Sequence, residues 1–466
     1  MTARKARAVP AIGDREEEKS MSQVLPIPAC LSRGTGGVRA CLLLLTVATA
    51  FLARSSDAQT TRLPLPEGAT LREVFDSVRS NSPLLGAAKA RVRAAQGGIS
   101  SARTWSNPVV SFESEQMTEQ GHATGPSQRE TMTTAMLPLE PIFQRGPRIR
   151  RAQALTRASE ADVLTERQQL ALDAADAFYQ VALAQVNVTA TRSLAQWFDT
   201  VVTYNSVRVR EGVTAEADLI RSQLERDFVL NELAMAESEL ARAEADLQTF
   251  VGRASPYTVF RVQIDSLPLD SAITVRADRI SRPEIEAARQ RLLASEAATA
   301  AEKRMFLREL GTMVGIKNSG GSGSLVTGFT LPFPLLDQNR GNVATARAER
   351  DVAHFELEQE QRKANAEVFG AERAARILSQ RVASFGSGRV GYLARAEDAR
   401  RIALGAYREG GTSLLQVIDA ARAWREARSS YFETLFAQHL AVIRLLVAEG
   451  VDVLDAWPRA KVGENQ

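Results

Sequence analysis

Apolar positions recur along this chain in two different rhythms. Leu170, Ala174, Ala177, Val181, Ala184, Val188, Thr191, Ala195, Phe198 and Val202 follow alternating steps of four and three, the period of a helix that presents a narrow seam. Alanine fills much of that seam, which permits close helix approach, while Glu, Arg and Gln cover the remaining surface. A second seam runs through Leu414, Val417, Ala421, Trp424, Arg428, Tyr431, Leu435, Gln438, Val442 and Leu445, interrupted by Arg428 and Gln438. Either seam taken alone also suits a soluble helical bundle. The other rhythm has period two. Leu310, Thr312, Val314 and Ile316 share one face, as do Leu325, Thr327, Phe329 and Leu331, which predicts a strand pair. Its flexible tip is expected over Lys317 to Ser324. Val110 and Phe112, then Met132, Thr134 and Met136, alternate more weakly around a loop with His122, Gly125 and Pro126.

The rhythms occur twice, in one order. Asn81-Ser82-Pro83 with Ala87-Ala88 and Arg91 is echoed 200 positions later by Ser281-Arg282-Pro283 with Ala287-Ala288 and Arg291. Leu137-Pro138-Leu139 recurs as Leu331-Pro332-Phe333, Arg145-Gly146 as Arg340-Gly341, and Glu211-Gly212-Val213-Thr214 as Glu409-Gly410-Gly411-Thr412. Four echoes in register indicate a duplication. Each copy reads helix, strand, strand, long helix, Gly turn, helix.

Helix length restricts the shape. Helices from about Pro147 to Glu211 and from about Gly341 to Glu409 would span ~97 and ~103 Å, too long for a compact globule. Shorter helices near 83–105 and 214–251, and again near 283–309 and 413–450, would give ~35 to ~57 Å each and match the long helix if stacked end to end. The expected organisation is a leader and extension over 1–58, a first repeat over 59–251 (strands near 109–137, hairpin tip near 211–214), an equatorial linker over 252–282, a second repeat over 283–450 (strands near 310–333, tip near 409–413) and a tail over 451–466. Pro256, Pro268 and the β-like Val259-Phe260-Arg261-Val262 suit a linker or collar at mid-height.

The run Ala40 to Ala53 is apolar over about 14 residues, too short to cross a bilayer. It reads as a secretory signal core, with Arg33 and Arg39 as its positive flank and cleavage before Gln59. An acidic stretch from Asp14 to Glu18 precedes it, and Met21 is an alternative start. No later window holds 18 uninterrupted apolar residues. Four strands cannot close a barrel, and open edges are not tolerated in lipid, so three chains would supply twelve.

Composition removes whole classes of function. Beyond residue 58 the chain carries 50 basic and 50 acidic residues, a balance that lacks the basic footprint of a nucleic-acid binder. Cys30 and Cys41 would leave with the leader, and His122, His354 and His439 lie far apart, so neither a metal site nor a Cys/His pair is expected. No P-loop, dinucleotide turn, His-Glu-x-x-His or nucleophile elbow occurs. Clustered charges such as Glu356, Glu358 and Arg362 suit solvated helix faces. No enzyme activity and no cofactor are expected.

These residues resemble the TolC family of outer-membrane efflux channels. The resemblance covers essentially all of the chain beyond the leader. It rests on the duplicated Asn-x-Pro-type opening with Ala-Ala, on Gly328-Phe329-Thr330-Leu331-Pro332-Phe333-Pro334 followed by Asn339-Arg340-Gly341, and on Tyr407-Arg408-Glu409-Gly410. The Leu-Pro-Phe-Pro exit most resembles members serving heavy-metal and multidrug pumps. The resemblance implies a mainly α fold with a membrane β-barrel part: a homotrimer with a helical tunnel joined to a twelve-stranded barrel in outer-membrane lipid. It further implies a periplasmic adaptor and an inner-membrane pump as partners. The tips Gly212, Val213, Thr214 and Gly410, Gly411, Thr412 resemble adaptor-docking positions, and Asp218 and Asp419 resemble acidic residues lining the closed periplasmic aperture. A second acidic aperture position falls on Gln416 and a latching arginine on Thr412, whereas Tyr407 matches the latch's aromatic neighbour. Ordinary helix caps remain the alternative for the glycines, and charges complementing the helix dipole for the aspartates. A periplasmic coiled-coil adaptor, or the conduit of a type I secretion system, remains the alternative for the whole chain.

Overall fold

The computed structural model describes residues 68–117, 128–251, 261–262, 282–305, 310–331, 333, 335–386 and 388–457. The expected leader and its cleavage point, most of the 252–282 linker, the loop with His122, and the end of the tail lie outside them. Helices α1 (Leu71–Asn81) and α2 (Pro83–Arg103) lead to strands β2 (Val109–Met117) and β3 (Gln128–Pro138), then to α3 (Glu140–Arg210) and α4 (Glu216–Val251). The second copy runs α5 (Pro283–Glu302), β5 (Gly311–Ser319), β6 (Ser322–Thr330), α6 (Arg340–Ser384), α7 (Tyr392–Arg408) and α8 (Leu414–Ala448), followed by a short α9 (Val453–Ala456). Gly68–Ala69 (β1) pairs in parallel with Arg261–Val262 (β4), so the segment just before α1 meets the linker.

The α3 seam is buried from Leu170 through Phe198. Its first half packs on α2 and α5, its second on α4 and α8, while α6 packs on α5 and α8 and α7 on α8. The end of α4 meets α1, where the Ser77 hydroxyl donates to Val251 O at 2.9 Å. Since α2 starts immediately after α1, short helices follow one another along the long one, as the lengths suggested. The largest apolar cluster gathers there, with Phe75, Phe178, Leu247, Ile443 and Leu454 at 2% exposure or less. Burying a side chain of this kind stabilises the fold by ~1.5–3 kcal/mol. Residues 451–457 are therefore more than a tail. Val453, Leu454 and Trp457 are buried, Trp457 meets Phe75 edge-on at 5.7 Å, and Arg167 clasps Asp452 and Asp455 at 2.9 and 2.6 Å.

Three expected boundaries are corrected. Helix α3 starts at Glu140, and Pro147 lies inside it. Proline has no N–H for the carbonyl four residues back, but the Phe143 carbonyl accepts from the Arg304 guanidinium at 3.3 Å instead. The second long helix is broken. It stops at Ser384, passes through a 3-10 turn at Gly388–Val390 and restarts at Tyr392, with Gly386 and Gly388 at φ 67 and 70. Buried Phe385 stacks on Tyr392 at 5.0 Å across the break. The β5–β6 tip is tighter than expected, because Gly320 and Gly321 have φ 57 and 88. Positive φ at both central residues matches a two-residue hairpin turn, so Lys317 to Ser319 and Ser322 to Ser324 remain in strand. In addition, α5 stops at Glu302.

The four strands form one antiparallel sheet in the order β2-β3-β5-β6. Its register aligns Val110, Ala135, Val314 and Thr327 in one row, and Phe112, Thr133, Ile316 and Leu325 in the next. Leu137, Thr312 and Phe329 continue this face, which is apolar or Thr. Met132, Thr134 and Met136 share the opposite face with Glu113, Glu130 and Lys317. There Glu130 and Lys317 pair at 2.7 Å. One face thus suits lipid and the other water.

The candidate docking and aperture site at the hairpin tips

Both hairpins turn by the same device. At the end of α3, Gly212 N–H donates to Val209 O at 3.0 Å and Val213 N–H to Arg208 O at 2.9 Å. At the end of α7, Gly410 N–H donates to Tyr407 O at 3.1 Å and Gly411 N–H to Ala406 O at 2.8 Å. These paired bonds are the Schellman arrangement, which needs a left-handed residue between helix and turn. Gly212 and Gly410 supply it at φ 72 and 77. A Cβ on either would meet nothing within 4 Å, so the cost of substitution is conformational rather than steric. Gly411 lacks positive φ. The tips continue through exposed Val213 and half-buried Thr214, and through exposed Gly411 and half-buried Thr412.

Tyr407 turns inward. It is 5% exposed, and its hydroxyl donates to Asn205 Oδ1 at 2.7 Å. Asn205 is fully buried. The Tyr407 ring meets Tyr204 at 6.0 Å, and the Arg208 guanidinium lies 5.4 and 5.9 Å from the two ring centres. The Tyr204 hydroxyl donates to Arg408 O at 3.1 Å. Two hairpins are therefore tied near their tips by side chains from α3 and α7. Burial pushes the Tyr407 hydroxyl above the ordinary tyrosine range, the Asn205 bond opposes this, and the Asp218 carboxylate reinforces it. Asp218 is half-buried in the first turn of α4, while Asp419 and Gln416 are exposed on α8. Neither aspartate is ion-paired among the described residues. The Thr412 hydroxyl bonds Gln416 Oε1, so the two positions that depart from the resembled latch and aperture contact each other.

Sequence reading missed Tyr204, Asn205 and Arg208. The signal was present for Asn205, which occupies the next position of the α3 seam after Val202. A polar residue in a helical seam fixes register at a cost in stability. Above the tips, Arg422 pairs with Glu225 at 2.6 Å and Arg425 with Glu232 across a groove of about 1040 Å³ between α4 and α8. Helix α8 has the length and mean hydropathy of a membrane span, but half of that window is buried within the chain. It packs on α3, α6 and α7. No group of three metal-ligating side chains occurs among the described residues.

Comparison with known proteins agrees with this architecture. Residues 74–253 match the outer membrane efflux protein family. The cobalt-zinc-cadmium resistance protein CzcC of Cupriavidus metallidurans is 26% identical over 419 residues, covering 85% of this chain and 96% of that protein. Among solved structures, the CmeC outer membrane channel of Campylobacter jejuni superposes with a TM-score of 0.68 at 16% identity, over 82% of this chain and 85% of that one. The outer membrane protein VceC of Vibrio cholerae gives a TM-score of 0.67 at 17% identity, over 82% and 96%. With its duplicated hairpins and two-faced sheet, the chain has the architecture of an outer-membrane efflux channel and is similar to the outer membrane efflux protein family over residues 74–253.

Proposed function

We propose that three copies of this chain form the passive exit duct of a tripartite system that exports metal cations, receiving them from an inner-membrane pump through a periplasmic adaptor. The observation that carries the trimer is the open sheet. Among the described residues, strands β2 and β6 pair on one side only, and each unpaired backbone group in lipid would cost several kcal/mol. The helical edges support the same closure. Exposed Phe369 and Ile377 on α6 correspond, 195 positions earlier, to Ala174 and Ala182, both 2% exposed or less. Exposed Ile220 on α4 corresponds, 198 positions later, to Ile418 at 1%. Positions covered inside the chain in one copy are bare at the edges in the other, the pattern expected when further copies complete a ring.

In this reading the chain performs no chemistry. It encloses water, and the pump supplies the energy and selects the cargo. CzcC, to which the chain is similar, is a cobalt-zinc-cadmium resistance protein, and this supports divalent cations as cargo. Gly212 to Thr214 and Gly410 to Thr412 dock the adaptor, Asp218 and Asp419 line the aperture with Gln416, and Tyr407 holds the hairpins together in the closed state.

The test is a strain lacking the chromosomal copy. Restoring the gene should restore cobalt, zinc or cadmium tolerance and give heat-modifiable trimers in outer-membrane fractions. Gly212→Glu and Gly410→Glu should abolish tolerance while leaving trimers intact. Monomeric protein in those fractions would refute the ring, and full tolerance in both glycine variants would refute docking at the tips.

A further inference from the structure

We propose that the junction between sheet and helices is a binding belt for anionic phospholipid in the leaflet that faces the helical tunnel. The inference rests on the barrel reading above. At this level each copy brings the end of a short helix to the start of a long one. Arg145 Nε donates to Arg103 O at 2.9 Å, and Arg148 approaches Thr104 O at 3.5 Å. In the second copy, Asn339 Nδ2 donates to Glu302 O at 2.8 Å, which brings the start of α6, opened by Arg340, to the end of α5, which Lys303 and Arg304 follow.

Among the described residues, these two junctions carry six basic side chains, Arg103, Arg145, Arg148, Lys303, Arg304 and Arg340, and three acids, Glu140, Glu302 and Asp337. The acids are engaged locally: Glu140 lies 3.7 Å from Arg148, Glu302 accepts from Asn339 Nδ2 at 3.0 Å, and Asp337 accepts from Asn339 N–H at 2.8 Å. Arg103, Lys303 and Arg340 are exposed and make no ion pair among the described residues. Arg103 and Lys303 end helices, where a cation complements the dipole. Arg340 opens α6, where a cation opposes the dipole, and the first turn holds no acidic residue. An external anion would relieve that conflict.

Apolar surface lies alongside. Phe333 is 78% exposed, Leu335 73% and Leu336 fully exposed, just beyond the strand whose Leu325 and Phe329 belong to the lipid-facing side. Trp105, 52% exposed, holds the equivalent place before β2, and such aromatic side chains favour the headgroup level. Charge complementarity and continuity with the lipid face together select a phosphate-bearing headgroup as occupant, with the apolar loop resting among its acyl chains.

The detergent-solubilised trimer should be offered equal amounts of phosphatidylglycerol and phosphatidylcholine with the same acyl chains, and retained lipid counted by native mass spectrometry. Phosphatidylglycerol should be retained preferentially. Arg103→Gln, Lys303→Gln and Arg340→Gln should each weaken the preference by up to about fivefold, and the triple variant should lose most of it. Arg103→Lys with Arg340→Lys should keep it. If the triple variant fails to assemble, the single variants and loss of the wild-type preference at high salt carry the same test. Equal retention of both lipids by an intact wild-type trimer would overturn the belt while leaving the channel reading untouched; absence of a trimer would overturn the channel reading itself.

Discussion

Helix α3 runs unbroken through 71 residues, whereas its counterpart stops at Ser384 and restarts at Tyr392. The copies differ by three residues over this stretch: Gly146 to Glu211 is 65 steps and Gly341 to Glu409 is 68. Three residues inside a continuous helix would rotate everything beyond them by about 300°, which carries a seam some 60° off its partner. The second copy releases the surplus at Gly386 to Gly391, and α7 resumes with Tyr407 correctly aimed at Asn205. A duplicated hairpin thus accommodates an insertion where glycines let the chain leave the helix, with the buried seam in register on both sides.

Moving the surplus to the unbroken copy should have the largest effect. Three residues inserted after Val188 would turn Leu194, Phe198 and Val201, all at 2% exposure or less, out of their cluster. Losing three such burials costs roughly 5–9 kcal/mol, comparable with the whole stability of an ordinary domain. Heat-modifiable trimers should disappear. Deleting three residues from 386–391 should leave trimers, because helices on both sides already keep their register. Normal assembly of the insertion variant would show that the α3 seam does not set the register.

This contrast also shows how far sequence reading reached. The α3 seam was legible because one face is buried for many turns. The sheet faces were legible in the second copy, where apolar and polar residues alternate, and weakly in the first, where methionines lie on the charged side. The break was written in the change of offset from 195 to 198, and went unread because helical periodicity continues on both sides of it. Helix α1 carries a legible signal as well, Thr70 with Glu73 as a capping box and Leu71, Val74, Phe75 and Val78 as a buried stripe. The Tyr407 contact with Asn205 joins residues 202 positions apart, and no local pattern specifies that meeting.

Helices α4 and α8 give the next contrast. Residue 439 of α8 is a buried histidine, whereas the equivalent Ala241 of α4 is exposed. Burial among Tyr179 and Phe436 pushes the His439 pKa down to about 4. The folded state then favours the neutral ring, while the unfolded chain takes up a proton near 6.5. Stability is complete above about pH 6.5 and is lost as pH falls towards 4, by up to about 3 kcal/mol. Denaturant titration of the solubilised trimer from pH 7.5 to 4.5 should show this loss, and His439→Leu should flatten it. An equally steep loss in that variant would assign the acid sensitivity to other groups.

A smaller effect is expected at the tie between hairpins. Tyr407→Phe removes one buried hydrogen bond and strands Asn205 Oδ1, a cost of ~1–3 kcal/mol. The isolated channel should open more often in planar bilayers, with trimer yield unchanged. Asn205→Ala should do the same, and the double variant should add little, because both changes break one contact. Additive effects would mean that the two residues act separately.

The smallest effect is expected from the aspartates, and it separates the two tips. Asp419 is exposed on α8, whereas Asp218 is half-buried in the first turn of α4 near Tyr407. In a ring of three, Asp419→Ala would remove three negative charges facing a narrow axis, where low-dielectric walls focus the field. Cation selectivity and blocker affinity of the isolated channel should fall, with folding unaffected. Asp218→Ala should lower selectivity and block less, because its carboxylate is half-buried, and should in addition cost a few tenths to about 1 kcal/mol, because a first-turn carboxylate complements the helix dipole. The pair of measurements distinguishes an aperture charge from a helix-end charge. If Asp419→Ala leaves selectivity and block unchanged while Asp218→Ala alters both, the first hairpin alone supplies the acidic lining of the aperture.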